Sequence, residues 1–316
     1  MTPVKISSKE PLLSTPDQSY LVGLIGSGIT ASLTPPLHEY AADTAGIRYL
    51  CRPLDIDRLG PAGRSAAATP VGDLLRWGFD LGYNAFNITY PYKQDVLQEL
   101  DDVSAEAQRL GAVNTVVLRD GRTVGFNTDV TGYSRALTTG LSPTAADLTR
   151  VTQLGVGGAG SATADALLSR GVQHLALFDT DYERAETKAR HLSALFPQAR
   201  IQAVAEADLA ASVGDSTGLV NATPIGMHHH PGSPLPLDYL HSDLWVSDVI
   251  YLPQNTPLIT QARRLGCRIL PGGLMAVGQA IDAFELITGH RPDFAPMLAH
   301  FEQLLDGQQG KATGQA

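Results

Sequence analysis

The chain has 316 residues, 43% hydrophobic and 17% charged, with a formal net charge of −9. That length, about twice a common domain size, predicts two domains, and the composition excludes a disordered chain. The acidic balance argues against nucleic acid as the main partner, because a polyphosphate would be repelled.

Two cysteines, Cys51 and Cys267, without CxxC spacing leave no disulfide framework or structural zinc site to expect. No apolar leader core and no run of membrane-spanning length is present, so a cytoplasmic protein without a membrane partner is expected.

Residues 1–18 are polar and proline-bearing and are expected to form a loose arm. Strand-like runs follow at Tyr20–Ile25, Arg48–Leu54 and Ala85–Thr89, with helical patterns after Pro35, over Asp73–Leu81 and over Lys93–Leu110. A second alternating unit opens with the strand Val151–Leu154 and a helix over Ser161–Arg170. Further strands are expected at His174–Phe178, Ile201–Val204, Gly218–Asn221, Trp245–Val249 and Arg268–Leu270. Alternating strands and helices predict an α/β fold whose second part is a doubly wound parallel sheet. Helices are expected over Leu274–Thr288 and Pro296–Leu305, before a flexible tail at 307–316.

Between strand and helix stands Gly155-Val156-Gly157-Gly158-Ala159-Gly160, and Asp179 ends the next strand nineteen residues beyond Gly160. This is the context a dinucleotide site requires. Gly155 permits the turn, Gly157 lets the backbone approach a diphosphate, and Gly160 allows close packing of helix on strand. The N–H groups around Gly158 and Ala159 and the helix dipole would hold the diphosphate. A carboxylate at Asp179 accepts hydrogen bonds from ribose hydroxyls and repels a 2′-phosphate, and Asp181 adds to the repulsion. Arg184 is either a phosphate partner or a solvated helix residue. The expected cofactor is NAD, with NADP disfavoured.

Polar clusters in the first part carry the substrate chemistry: Ser32-Leu33-Thr34-Pro35, Asn87-Ile88-Thr89-Tyr90-Pro91-Tyr92-Lys93, Gly111-Ala112-Val113-Asn114-Thr115 and Asn127-Thr128-Asp129. With the glycine loop, Asn221-Ala222-Thr223-Pro224 and Gln279, they resemble the shikimate/quinate dehydrogenase family, in its NAD-dependent quinate/shikimate form. The resemblance runs from Val22 to Phe301 in unbroken motif order. It implies Lys93 as the acid/base at the reacting hydroxyl and Asp129 as its partner. It further implies that Ser32, Thr34 and Tyr251 bind the substrate carboxylate. Thr89, Asn114 and Gln279 would hold ring hydroxyls, supported by Asn87. Arg184, Thr223, Val249 and Gly272 complete the implied cofactor set. The implied substrate domain is discontinuous, 19–128 with 275–316, facing a Rossmann domain at 129–274. The protein would be a monomer or homodimer.

The residues themselves leave alternatives. Ser32 and Thr34 also suit the cap of the helix after Pro35, and Asn87, Thr89 and Asn114 suit turns. Departures from the family pattern also occur. Members using NADP carry an Asn-Arg-Thr-type turn where this chain has Asp179, Thr180 and Asp181. Shikimate-specific members usually carry Ser at the position of Thr34, and members accepting quinate tend to carry Thr. Pro271 before Gly272 and Gly278 before Gln279 leave the ring acid open, aminoshikimate included. A catalytically silent dinucleotide-binding protein is the alternative of another class, and one that would need neither Lys93 nor Asp129. His228, His229 and His230 are adjacent and cannot all face one ion on a regular element, so no metal is expected.

Overall fold

The computed structural model describes residues 19–58 and 69–313, with side chains as far as Gly307. The expected arm at 1–18 lies outside the described residues. The chain opens with β1 (Ser19–Gly26), α1 (Thr34–Ala45), β2 (Arg48–Asp55), α2 (Val71–Asp80) and β3 (Ala85–Ile88). With β4 (Asp102–Val103), α3 (Ala105–Leu110), β5 (Thr115–Arg119) and β6 (Arg122–Phe126) they build a mixed sheet of order β2-β1-β3-β5-β6-β4. Strand β1 runs parallel to β2 and β3, whereas β5 is antiparallel to β3 and β6. The β5–β6 hairpin turns at Asp120-Gly121, both at positive φ, a pair suited to such tight turns.

A continuous helix over Lys93–Leu110 does not form. A 3₁₀ turn at Asp95–Glu99 ends at Leu100, which is extended at φ −109 and ψ 145. Strand β4 then pairs with β6, and α3 starts only after Ser104, whose Oγ accepts from the Ala107 N–H at 3.2 Å. Edge pairing and a serine cap outweigh helical periodicity here.

The second part begins with α4 (Asp129–Ala136) and β7 (Arg150–Leu154), followed by α5 (Gly158–Ser169), β8 (His174–Phe178), α6 (Tyr182–Leu195) and β9 (Arg200–Ala203). It continues through α7 (Leu209–Gly214), β10 (Gly218–Asn221), β11 (Trp245–Asp248), α8 (Pro257–Arg264) and β12 (Arg268–Pro271). The six strands form a parallel sheet of order β12-β11-β10-β7-β8-β9. The order reverses between β7 and β10, which opens a crevice at the carboxyl ends of those strands, the usual ligand position in doubly wound sheets. Helices α9 (Gly273–Thr288) and α10 (Phe294–Thr313) close the chain. Helix α10 runs well into the stretch expected to be a loose tail, because its Gln, Lys and Ala residues favour helix and its glycines cost only about 1 kcal/mol each.

Apolar faces cover both sides of the parallel sheet. Leu167, Leu175, Val220 and Trp245 are fully buried on one face, and Leu219, Val246, Leu258 and Ile259 on the other. Each such side chain contributes about 1.5–3 kcal/mol through burial. Helix α9 returns against the start of the chain, where Val277, Ile281 and Phe284 pack with Leu33, Leu37 and Phe301. Helices α4 and α9 touch backbone to backbone. A Cβ on Gly132 would lie 2.7 Å from the Gln279 nitrogen, and one on Gly278 would lie 3.0 Å from the Gly132 Cα. Among the described residues no helix is long and apolar enough to cross a membrane.

Candidate active site

The turn after β3 carries Lys93. The Thr89 N–H donates to Ile25 O and the Tyr92 N–H to Thr89 O, both at 3.0 Å, around a cis Tyr90–Pro91 bond. The Lys93 carbonyl accepts from the Val113 N–H at 2.7 Å, joining this turn to the loop before β5. Lys93 Nζ reaches Asp129 Oδ2 at 2.6 Å, with the lysine side chain 21% and the aspartate side chain 7% exposed. Asp129 is the first residue of α4, where the helix dipole favours a carboxylate. Its N–H donates to Asn127 Oδ1 at 2.9 Å.

Asn114 locks this arrangement. Its Nδ2 donates to Asp129 Oδ1 at 3.0 Å and to Thr128 Oγ1 at 2.9 Å, and its Oδ1 accepts from the Thr128 N–H at 2.9 Å. Thr128 Oγ1 in turn donates to the Gln279 carbonyl at 3.1 Å, bringing α9 into the network. Asn87 donates weakly to Thr115 Oγ1 at 3.4 Å, while its Oδ1 is buried without a partner. A buried acceptor left open is costly unless a ligand donates to it. Thr89 is half-buried beside Gly26, where a Cβ would meet Thr89 Cγ2 at 2.3 Å, so only glycine fits.

Ser32 and Thr34 at the start of α1, and Tyr251 after β11, make no hydrogen bond to the lysine–aspartate network among the described residues. Leu33 is the N-cap of α1 and Thr34 its first residue, so the capping role of Thr34 does not hold. Pro35 and Pro36 offer no N–H to cap, and the next one, on Leu37, donates to the Leu33 carbonyl at 3.1 Å. Ser32 Oγ accepts from the Thr34 N–H at 3.3 Å. Tyr251 lies edge-on to Phe301 at 5.6 Å between ring centroids and shares an apolar cluster with Leu33 and Leu37.

The glycine loop lies across from Lys93. Gly155 has φ +88, and a Cβ on Gly160 would sit 2.2 Å from Gly155 O. A Cβ on Gly157 would meet nothing within 4 Å, and one on Gly158 would come 3.6 Å from Lys93 Cδ. No side chain caps α5 after Gly157, leaving its first N–H groups, with Ala159 in that turn, suited to an anion. Thr223 adjoins the loop, with its Cγ2 2.9 Å from a Cβ on Gly155 and its Oγ1 donating to Asn221 Oδ1 at 2.7 Å. Val249 and Gly272 meet across the neighbouring turn, where a Cβ on Gly272 would lie 2.2 Å from Val249 O. The loop, the uncapped helix and these close backbone approaches fit a dinucleotide.

Asp179 accepts from the Val156 N–H at 3.1 Å, the Asp181 N–H at 3.0 Å and Arg184 Nη2 at 2.6 Å. Burial alone would raise its carboxyl, but the Asp181 N–H, the Arg184 guanidinium and the Val156 N–H hold it below the ordinary carboxylate range. Asp181 caps α6, accepting from the Arg184 N–H at 3.1 Å.

Residues 24–116 match the family described as shikimate dehydrogenase substrate binding domain. A protein of Pseudarthrobacter chlorophenolicus named shikimate dehydrogenase (NADP(+)) is 52% identical over 94% of this chain and 99% of its own length. The chain belongs to the shikimate dehydrogenase family. Another relative in it, a Streptomyces avermitilis protein also named shikimate dehydrogenase (NADP(+)), is 51% identical over 90% of this chain and 96% of its own. Among solved structures, quinate dehydrogenase from Corynebacterium glutamicum in complex with NAD superposes with a TM-score of 0.83. It is 42% identical and covers 90% of this chain and 99% of that one.

The relatives of about half identity overturn the expectation that NADP is disfavoured, because they are named as NADP(+) enzymes. The structure shows what the charge argument missed. Both carboxylates are already engaged by the protein, Asp179 by Arg184 and two N–H groups and Asp181 by its own helix. The half-exposed guanidinium lies over Asp179 and offsets its charge, and Asp181 turns its carboxylate to the N-terminus of its own helix.

Sequence reasoning assigned no role to Thr128, although it stood inside Asn127-Thr128-Asp129. Its place between an amide and a carboxylate side chain, Asn127 and Asp129, was the available signal, because buried threonine hydroxyls need partners. The three histidines at 228–230 are exposed, and no group of three or more His, Cys, Asp or Glu among the described residues is placed to hold a metal ion.

Proposed function

We propose that this protein interconverts shikimate and 3-dehydroshikimate, and quinate and 3-dehydroquinate, with hydride exchange to a nicotinamide dinucleotide. One observation carries the reading: Lys93, paired with Asp129 at 2.6 Å, has its Cδ only 3.6 Å from a Cβ position on Gly158 of the dinucleotide loop. A proton donor and a hydride carrier's cradle thus meet at one place, as alcohol oxidation requires. When bound, the nicotinamide accepts or supplies the hydride. In the reducing direction the Lys93 ammonium gives a proton to the substrate oxygen and stabilises its developing negative charge. In oxidation the hydroxyl proton returns to Nζ. Asp129 holds Nζ in position, and Asn114 and Asn127 hold Asp129.

Asn87 Oδ1 then accepts from a ring hydroxyl, which removes the open buried acceptor. Thr89, Asn114 and Gln279 take the remaining hydroxyls, and Ser32, Thr34 and Tyr251 take the carboxylate. Thr34 in place of serine is the feature that adds quinate. In this reading residues 19–128 with 275–316 hold the ring acid and 129–274 hold the dinucleotide through Gly155, Gly157, Gly158, Ala159, Gly160, Asp179, Arg184, Thr223, Val249 and Gly272. Initial rates for shikimate and quinate, each with NAD and NADP, test it. Turnover of at least one ring acid is expected, and none with either dinucleotide would sink the reading.

A further inference from the structure

Strand β7 leads into the glycine loop, and its fourth residue is Gln153, which is 0% exposed. A central strand of a parallel sheet is buried on both faces and normally carries apolar residues. A glutamine there costs free energy unless all its polar atoms are matched. Here every one is matched, and two of the three partners are carbonyls of the glycine loop. Nε2 donates to Gly155 O at 3.0 Å and to Gly160 O at 2.8 Å, while Oε1 accepts from Thr163 Oγ1 at 2.8 Å. The two carbonyls require that Nε2 face the loop, since the opposite amide orientation would set oxygen against oxygen.

We propose that Gln153 is a positioning residue for dinucleotide binding, holding the first and last glycine carbonyls of the loop inward so that its N–H groups face the diphosphate. The inference rests on the dinucleotide reading above. Gly155 O is the atom a Cβ on Gly160 would strike at 2.2 Å, so the loop closes on itself at the point where Gln153 fastens it. An apolar side chain of equal length would leave Gly155 O without a donor, while Gly160 O keeps its place in α5 and the Thr163 hydroxyl at 3.2 Å. The loop would then turn the Gly155 carbonyl toward solvent and hence toward the diphosphate. Carbonyl oxygens there repel the anion that the N–H groups attract.

The test compares Gln153→Met and Thr163→Val with the wild type, titrating each with NADH and NADPH by nicotinamide fluorescence and measuring both KM values. Gln153→Met should weaken dinucleotide binding about tenfold or more, the scale of two lost buried hydrogen bonds. At saturating dinucleotide, kcat and the KM for shikimate should stay within about twofold, because neither ligand shell is touched. Thr163→Val leaves both amide donors in place, frees Oε1 and removes the hydroxyl's contacts to the Ala159 and Gly160 carbonyls at 3.2 Å, so a rise of about threefold is expected. Gln153→Met with wild-type dinucleotide affinity, or with the two KM values raised equally, overturns the proposal. Should Gln153→Met fail to fold, Thr163→Val decides: unchanged dinucleotide affinity overturns it, and a selective loss supports it. Wild-type protein that binds neither dinucleotide refutes the underlying reading before any variant is made.

Discussion

Lys93 Nζ lies 2.6 Å from Asp129 Oδ2, although the two residues stand 36 positions apart on different elements. Lys93 hangs from a turn whose carbonyl is fastened to Val113, and Asp129 starts a helix whose N–H is fastened to Asn127. Neither charge finds its partner by local sequence. The β5–β6 hairpin carries the chain out and back between them, and Asn114 bridges its base to Asp129. The pair is therefore preorganised, which the proposed proton transfer requires if it is to act without rearrangement.

Replacing Lys93 by alanine should lower kcat by about 10²–10⁴-fold, the usual contribution of a positioned proton donor. The KM for the ring acid should move far less, since the interaction lost is made mainly in the transition state. Steady-state kinetics decide, and a variant with most of the wild-type kcat would remove Lys93 from the mechanism.

Thr34→Val keeps the branched shape and deletes only the hydroxyl. That hydroxyl does not cap α1, where Leu33 is the N-cap and two prolines follow, so stability should change little. If the hydroxyl donates to the substrate carboxylate, its loss is worth roughly 1.5–3 kcal/mol and raises the ring-acid KM about tenfold or more. Dinucleotide affinity should be untouched. A normal KM with a lowered melting temperature would assign Thr34 to folding alone.

The glycine loop was legible because each glycine answers a local steric demand: Gly155 by its φ of +88, Gly160 by the carbonyl 2.2 Å from its missing Cβ. The lysine–aspartate pair was legible only through family resemblance, because no periodicity says that a turn after β3 faces the start of α4. Periodicity misled over Lys93–Leu110, where a two-residue strand and a serine cap interrupt the helix. The spacing that located Asp179 gave no sign of the guanidinium resting on it, which is why its charge was overweighted. Gln153 escaped notice because a single polar residue in a strand reads as ordinary until its carbonyl partners are seen.

Arg109 grips Asp165 through two hydrogen bonds of 2.7 and 2.8 Å, joining α3 to α5 across the two parts of the molecule. The Asp165 side chain is fully buried and the arginine side chain 35% exposed. Arg109→Met should destabilise the fold by about 3 kcal/mol, because it strands a buried carboxylate. The double variant Arg109→Met, Asp165→Leu should recover much of that loss, because no charge is then left unpaired. Denaturant unfolding of the single and double variants checks this. Additive losses in the double variant would show that the pair is not coupled.

Asp248 supplies a pH dependence of definite sign. It ends β11 fully buried, accepting from Asn221 Nδ2 and the Ile250 N–H at 3.0 Å and from Thr256 Oγ1 at 2.7 Å. Burial raises its carboxyl from 3.8 to about 6, against the pull of those three donors. The folded protein therefore binds this proton more tightly than the unfolded chain. The stability it contributes is full below the unfolded value of 3.8 and is lost as pH rises through about 6. At neutral pH the ionised form opposes folding by about 3 kcal/mol, taking 1.36 kcal/mol per unit. Asp248→Asn removes the charge and keeps the geometry: its Oδ1 accepts both N–H groups and its amide donates to Thr256 Oγ1. The melting temperature of this variant relative to wild type should therefore rise between about pH 4 and about pH 6 and level off above about pH 7, since over that window the unfolded wild-type chain has released a proton that the folded one still holds. Every other titrating group is common to both proteins and cancels in the difference. A gap that stays constant with pH, or narrows as pH rises, would show that Asp248 does not titrate in this range.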